Sequence, residues 1–117
     1  MGKVAMILRK MPYGDINAAE AVRHALGAVS ANIPASLILV DGGVELARKG
    51  QEDAGTGFTN LEETLKDCSD MGVTIFADEL SLIGHGLKKE DIIDGIEPAG
   101  EAEIAELIAG ADTTMIF

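Results

Sequence analysis

The sequence predicts an α/β domain of three layers, α/β/α, built on a five-stranded, mainly parallel sheet. Three observations lead there. Short runs of β-branched and other apolar residues recur along the chain, stretches with apolar residues three and four apart lie between them, and one or two glycines punctuate the joins. Strand, helix, strand in that rhythm implies right-handed parallel crossovers. A chain of 117 residues is long enough for one core and too short for two, so residues 1–117 are expected to form a single domain.

The first strand is read over Lys3 to Arg9, an apolar run closed by basic residues, the pattern of a strand buried on both faces and so expected to be central. Met11-Pro12-Tyr13-Gly14 breaks it, and Asp15 is placed to cap the next helix, its carboxylate accepting from free first-turn amides. Ala18, Val22, Ala25, Leu26 and Val29 give that helix one apolar stripe, and Asn32 to Pro34 ends it. Ala35 to Val40 is a second buried strand, with Asp41-Gly42-Gly43 as its exit turn and Val44 to Lys49 as a short helix. Gly50 to Gly57 is too polar and glycine-rich for regular structure and reads as a mobile loop.

From Asn60 a helix carries Leu61, Leu65, Cys68 and Met71 on nearly one face and stops at Gly72. The strand that follows, Val73-Thr74-Ile75-Phe76-Ala77, ends in Asp78-Glu79 and a turn at Gly84-His85-Gly86. In open α/β sheets ligands gather at the carboxyl ends of strands, so chemistry is expected near Asp78. Lys88 to Ile93 reads as one helical turn and Gly95 to Pro98 as a short edge strand. Gly100 to Gly110 reads as a last helix with Ile104, Leu107 and Ile108 inward, and Thr113 to Phe117 as the final strand.

With no Trp, one Tyr and three Phe, the core must be aliphatic. A net charge of −11 repels a phosphate backbone, and no basic cluster exceeds two residues, which argues against nucleic acid as a partner. One cysteine cannot form an internal disulfide, and the run Val4 to Leu8 is too short for a signal or membrane segment. The expectation is a cytoplasmic protein without membrane contact.

Each candidate residue has a bland reading beside a chemical one. Asp41-Gly42-Gly43 is read as a structural turn over a phosphate cradle, since neither G-x-G-x-x-G nor a P-loop lysine is present. A receiver-type phosphoryl site is rejected because the first strand ends in Arg9-Lys10. Cys68, late in its helix between Asp67 and Asp70, is read as core because a reactive thiol needs positive surroundings. His24 is read as half-buried or solvated. His85, between two glycines, is within reach of a ligand or a proton but has no Cys or His partner in sequence. Asp78-Glu79 serves equally well as a general base or as a helix cap. Adjacent residues leave a strand on opposite faces, so the pair is a poor metal site, and neither a metal nor a cofactor is expected.

Pro12-Tyr13-Gly14, Asp41 to Val44, Lys49-Gly50-Gln51, Gly57-Phe58-Thr59-Asn60-Leu61, Gly84-His85-Gly86-Leu87, Asp94-Gly95-Ile96 and Ala111-Asp112 to Phe117 together resemble the DsrE/DsrF-like family. The similarity covers essentially the whole chain. That family includes the TusD, TusC and TusB subunits of a tRNA-thiolation sulfur relay and the DsrE, DsrF and DsrH proteins of sulfur oxidation. The resemblance implies a five-stranded parallel sheet and assembly into trimers or hexamers. In active members a cysteine at the end of the key strand carries persulfide sulfur. Counting back eight residues from Gly86, that position here is Asp78, which cannot hold sulfane sulfur. Cys68 matches no reactive position of the family.

The resemblance therefore implies a cytoplasmic, homo-oligomeric, non-catalytic binding or scaffold subunit of sulfur trafficking, akin to the TusC/DsrF side. A cysteine-bearing sulfur-carrier paralogue is the partner it suggests. The expected pocket lies between Tyr13-Gly14, Asp41-Gly42 and Asp78-Glu79, with His85 nearby. A sulfurtransferase using Cys68, and a small-molecule or nucleotide-binding module contacting its ligand through Asp78 and His85, are the alternatives.

Overall fold

A computed structural model of the chain describes residues 2–13, 16–51 and 61–117. Five strands, β1 (Val4–Leu8), β2 (Ala35–Leu39), β3 (Thr74–Asp78), β4 (Ile96–Ala99) and β5 (Thr113–Ile116), form one sheet in the order β4-β3-β2-β1-β5. Every pairing is parallel. The helices are α1 (Asn17–Ser30), α2 (Leu61–Asp70), α3 (Glu79–Gly84) and α4 (Glu101–Ala109), with 3-10 helices at Asp41–Ala47 and Lys89–Asp91. The expected α/β architecture is thus present.

Alternation along the strands divides the apolar residues between two unequal layers. Met6, Leu8, Leu37, Leu39, Ile75 and Ala77 face the thicker layer, where they meet Ala18, Ala21, Val22 and Ala25 of α1 and Leu61, Leu65 and Cys68 of α2. Leu82, Leu87, Ile92 and Ile93, from α3 and the segment after it, close the same layer. Ala5, Ile38, Phe76 and Ala99 face the other way and are covered by Ile104, Leu107 and Ile108 of α4. No polar side chain among the described residues is buried.

Three expectations change in detail. The short helix after β2 begins at Asp41 and is 3-10, ending at Ala47, because Asp41 adopts a left-handed φ of 50° and Gly43 N donates to Val40 O. Met71 is half exposed, lying past the end of α2 in the turn to Gly72. β1 is interior but not central, since β2 occupies the middle of the sheet. The proposed cap Asp15, the helix start at Asn60 and the loop between residues 52 and 57 lie outside the described residues.

Gly43 fixes how the turn after β2 meets β1. A Cβ there would run into the carbonyl of Leu8, so the backbones touch without a side chain between them. Gly27, within α1, has nothing within 4 Å of its would-be Cβ. Gly43→Ala is expected to cost about 1–3 kcal/mol through forced backbone displacement. Gly27→Ala is expected to gain about 0.5–1 kcal/mol by restoring helix propensity. Urea unfolding midpoints of the two variants check the contrast.

Candidate functional site

The path of the chain selects one place on the rim of the sheet. After β3 the chain runs through α3 on the thicker layer, whereas after β4 it crosses by α4 on the other. Neighbouring strands whose connections leave to opposite faces open a crevice at their carboxyl ends. Here those ends are Asp78 and its register partner Ala99. Gly100 follows, and a Cβ on it would lie 3.8 Å from Glu79 Oε2, which places the Glu79 carboxylate across that opening.

Asp78 is engaged in holding α3. Its Oδ2 accepts from Ser81 N at 3.0 Å and from the Ser81 hydroxyl at 2.6 Å, an N-cap with a second bond to the same oxygen. Ser81 Oγ in turn accepts from Asp41 N at 2.9 Å. One serine thus joins the exits of β2 and β3, and of the two readings of Asp78 the cap is the one these hydrogen bonds display. Asp41 and Asp78 come together in this way, whereas Gly42 lies against the exit of β1, its would-be Cβ 3.1 Å from Met11 Sδ.

His85 has the partner that its local sequence did not offer. Its Nδ1 lies 2.8 Å from Glu45 Oε2, and Glu45 also accepts from Arg48 Nε at 2.8 Å. The Arg48 hydrogen bonds, aided by His85, hold the Glu45 carboxyl below its ordinary value against the opposing effect of partial burial. The carboxylate can only accept, so Nδ1 donates to it and the imidazole is held in place on a side chain 31 % exposed. Its Nε2 edge is left for a hydrogen bond with an approaching group.

Tyr13 serves a different join. Its hydroxyl donates to Gln51 Oε1 at 2.8 Å and accepts from Leu61 N at 3.3 Å, while Gln51 Nε2 donates to Leu46 O and Arg48 O. It ties the exit of β1 to the start of α2, and no hydrogen bond links it to Asp78. Gly14 lies outside the described residues. Cys68 is fully buried, its Sγ 3.6 Å from Val22 O, and burial first, then Asp67, pushes its thiol up to about 11. It belongs to the layer beneath the sheet and not to the rim.

Sequence reasoning held the cap at Asp78 as one of two readings but missed the link from Ser81 to Asp41, and it missed Glu45 and Gly100. Glu45 and His85 are 40 residues apart, with no local trace of their contact. A separate cavity of about 340 Å³, lined by Lys3, Ser36, Glu103, Glu106 and Leu107 among others, lies at the opposite, amino ends of the strands.

The model of the DsrE/DsrF-like family matches residues 2–117. The intracellular sulfur oxidation protein DsrF of Allochromatium vinosum is 31% identical over 130 residues, covering 98% of this chain and 96% of that protein. An uncharacterized protein of Methanocaldococcus jannaschii is 29% identical over 115 residues, covering 98% and 99%. Among solved structures, the ychN protein from E. coli superposes with a TM-score of 0.91 at 24% identity over the full length of both chains. A protein of unknown function from Methanobacterium thermoautotrophicum follows with a TM-score of 0.73 at 13% identity, also over both full lengths.

Substitutions at two positions separate structural from chemical roles on the rim. Asp78→Ala is expected to cost about 1 kcal/mol, and Asp78→Asn much less, because asparagine also caps. Glu45→Gln is expected to cost about 1 kcal/mol at neutral pH. Since folding lowers the Glu45 pKa from 4.5, that stability is complete above 4.5 and drains away as pH falls through the folded value. Thermal unfolding of wild type and Glu45→Gln should therefore differ at pH 7 and converge in acid.

Proposed function

The chain belongs to the DsrE/DsrF-like family, and from that membership we propose that it serves intracellular sulfur trafficking as a non-catalytic binding or scaffold subunit. The similarity to a protein named for intracellular sulfur oxidation supports the sulfur context. The observation that carries the non-catalytic part is at Asp78. Where the resemblance places a persulfide-carrying cysteine, this chain has a carboxylate that holds the first turn of α3.

The remaining thiol supports the same reading. Cys68 is shielded by α1 and the sheet, and its raised pKa leaves almost no thiolate near neutrality, the form that attacks sulfur donors. A sulfurtransferase acting through Cys68 would need that side chain at the rim. The rim instead offers Glu79 and His85 together with Leu80 and Ile83, which stand 68% and 73% exposed on α3. An apolar and acidic surface of this kind suits contact with another protein, and a cysteine-bearing paralogue in the cytoplasm is the partner this reading names.

Persulfide trapping tests the proposal. After incubation with polysulfide, alkylation and mass spectrometry are expected to find no stoichiometric sulfane sulfur on the folded wild type. A thiol reagent should label Cys68 only as the protein unfolds. Asp78→Cys, which sets a thiol at the start of α3, should take up sulfur under the same conditions. Stoichiometric persulfide on Cys68 in the folded chain would sink the non-catalytic reading.

A further inference from the structure

The two edges of the sheet are built differently. On β4, Ile96 N donates to Ile93 O and so faces away from β3, and alternation places Pro98 on that same outer side. Proline offers no N–H to a visiting strand, and Glu97 beside it adds a charge. These are the devices by which sheet edges are kept from pairing. β5 has none of them. Residues 113–117 read Thr-Thr-Met-Ile-Phe, an uncharged stretch in a chain of net charge −11.

The hydrogen bonds to β1 show which groups of β5 remain unused. Thr113 N donates to Lys3 O, Phe117 N donates to Ile7 O, and Arg9 N donates to Phe117 O. Residues 113, 115 and 117 therefore point their amides and carbonyls at β1. Thr114 and Ile116, in between, present theirs to the outer edge. The Ile116 side chain is 65% exposed, out beyond the reach of α4.

We propose that this edge pairs with the β5 edge of a second copy of the chain, antiparallel, about a two-fold axis at Met115. That register is the one that uses every free group. Thr114 of one copy exchanges both backbone hydrogen bonds with Ile116 of the other, and the symmetry repeats the exchange. It makes four bonds from a strand of four residues. A second copy fits better than a foreign strand for two reasons: the donor and acceptor pattern is its own complement, and the stretch is free of the negative charge that otherwise drives these chains apart. Because each copy needs one two-fold partner, assemblies contain an even number of chains.

The inference is independent of the sulfur reading and stands or falls without it. In the proposed register the two Met115 residues form a non-hydrogen-bonded pair, whose Cα separation of about 4.5 Å lies within disulfide range. Met115→Cys on a Cys68→Ala background should crosslink into dimers on mild oxidation, whereas Thr113→Cys on that background should not. Light scattering should give an even multiple of the chain mass, rising with salt as repulsion is screened. Thr114→Pro, which removes an outward N–H without touching a bond to β1, should lower that mass while circular dichroism stays unchanged. A monomer or a trimer in solution overturns the proposal. So does a Thr114→Pro variant of unchanged mass together with no Met115→Cys crosslink.

Discussion

The contact between Gly43 and the carbonyl of Leu8 governs the rim of this molecule. Because no side chain separates the two backbones, the 3-10 helix Asp41–Ala47 sits directly on the end of β1. From that position it reaches both neighbours. Its first amide meets Ser81, its Glu45 carboxylate meets His85, and its last carbonyl, on Ala47, accepts from Ile93 N. A single backbone approach thus sets the spacing of β2, α3 and the segment leading to β4.

The rim is consequently a braced structure more than a collection of free reactive groups. Asp78 is held by Ser81, Glu45 by Arg48 and His85, and Tyr13 by Gln51 and Leu61. Carboxylates placed in this way trade reactivity for position. What remains presentable is the Nε2 side of His85, the Glu79 carboxylate over Gly100, and the apolar pair Leu80 and Ile83. That balance, many groups spent on geometry and a few turned outward, is what the proposed binding role draws on.

Much of the fold was legible because it rests on periodicity. Alternating and continuous apolar runs located all five strands, and the stripe Leu61, Leu65 and Cys68 correctly placed the thiol in the core. The helix after β2 was misplaced because its geometry depends on a left-handed Asp41 and on the approach of β1, neither of which leaves a local signal. The candidate site was half legible. Asp78 and His85 were identifiable as residue types at a strand end, and the cap was one of the two readings open for Asp78, but the links from Ser81 to Asp41 and from His85 to Glu45 were not. Each is a contact spanning 40 residues.

The unequal layers bear on how the molecule breathes. One side of the sheet is sealed by two helices and the segment from α3 to β4, the other by α4 with Ile104 as its only buried side chain. Few apolar contacts anchor α4, the profile of an element that opens locally ahead of the core. The outermost strand hangs from that same loose element. Any neighbour gripping the strand would also quiet the helix, carrying order from the margin of the sheet back into its thin side.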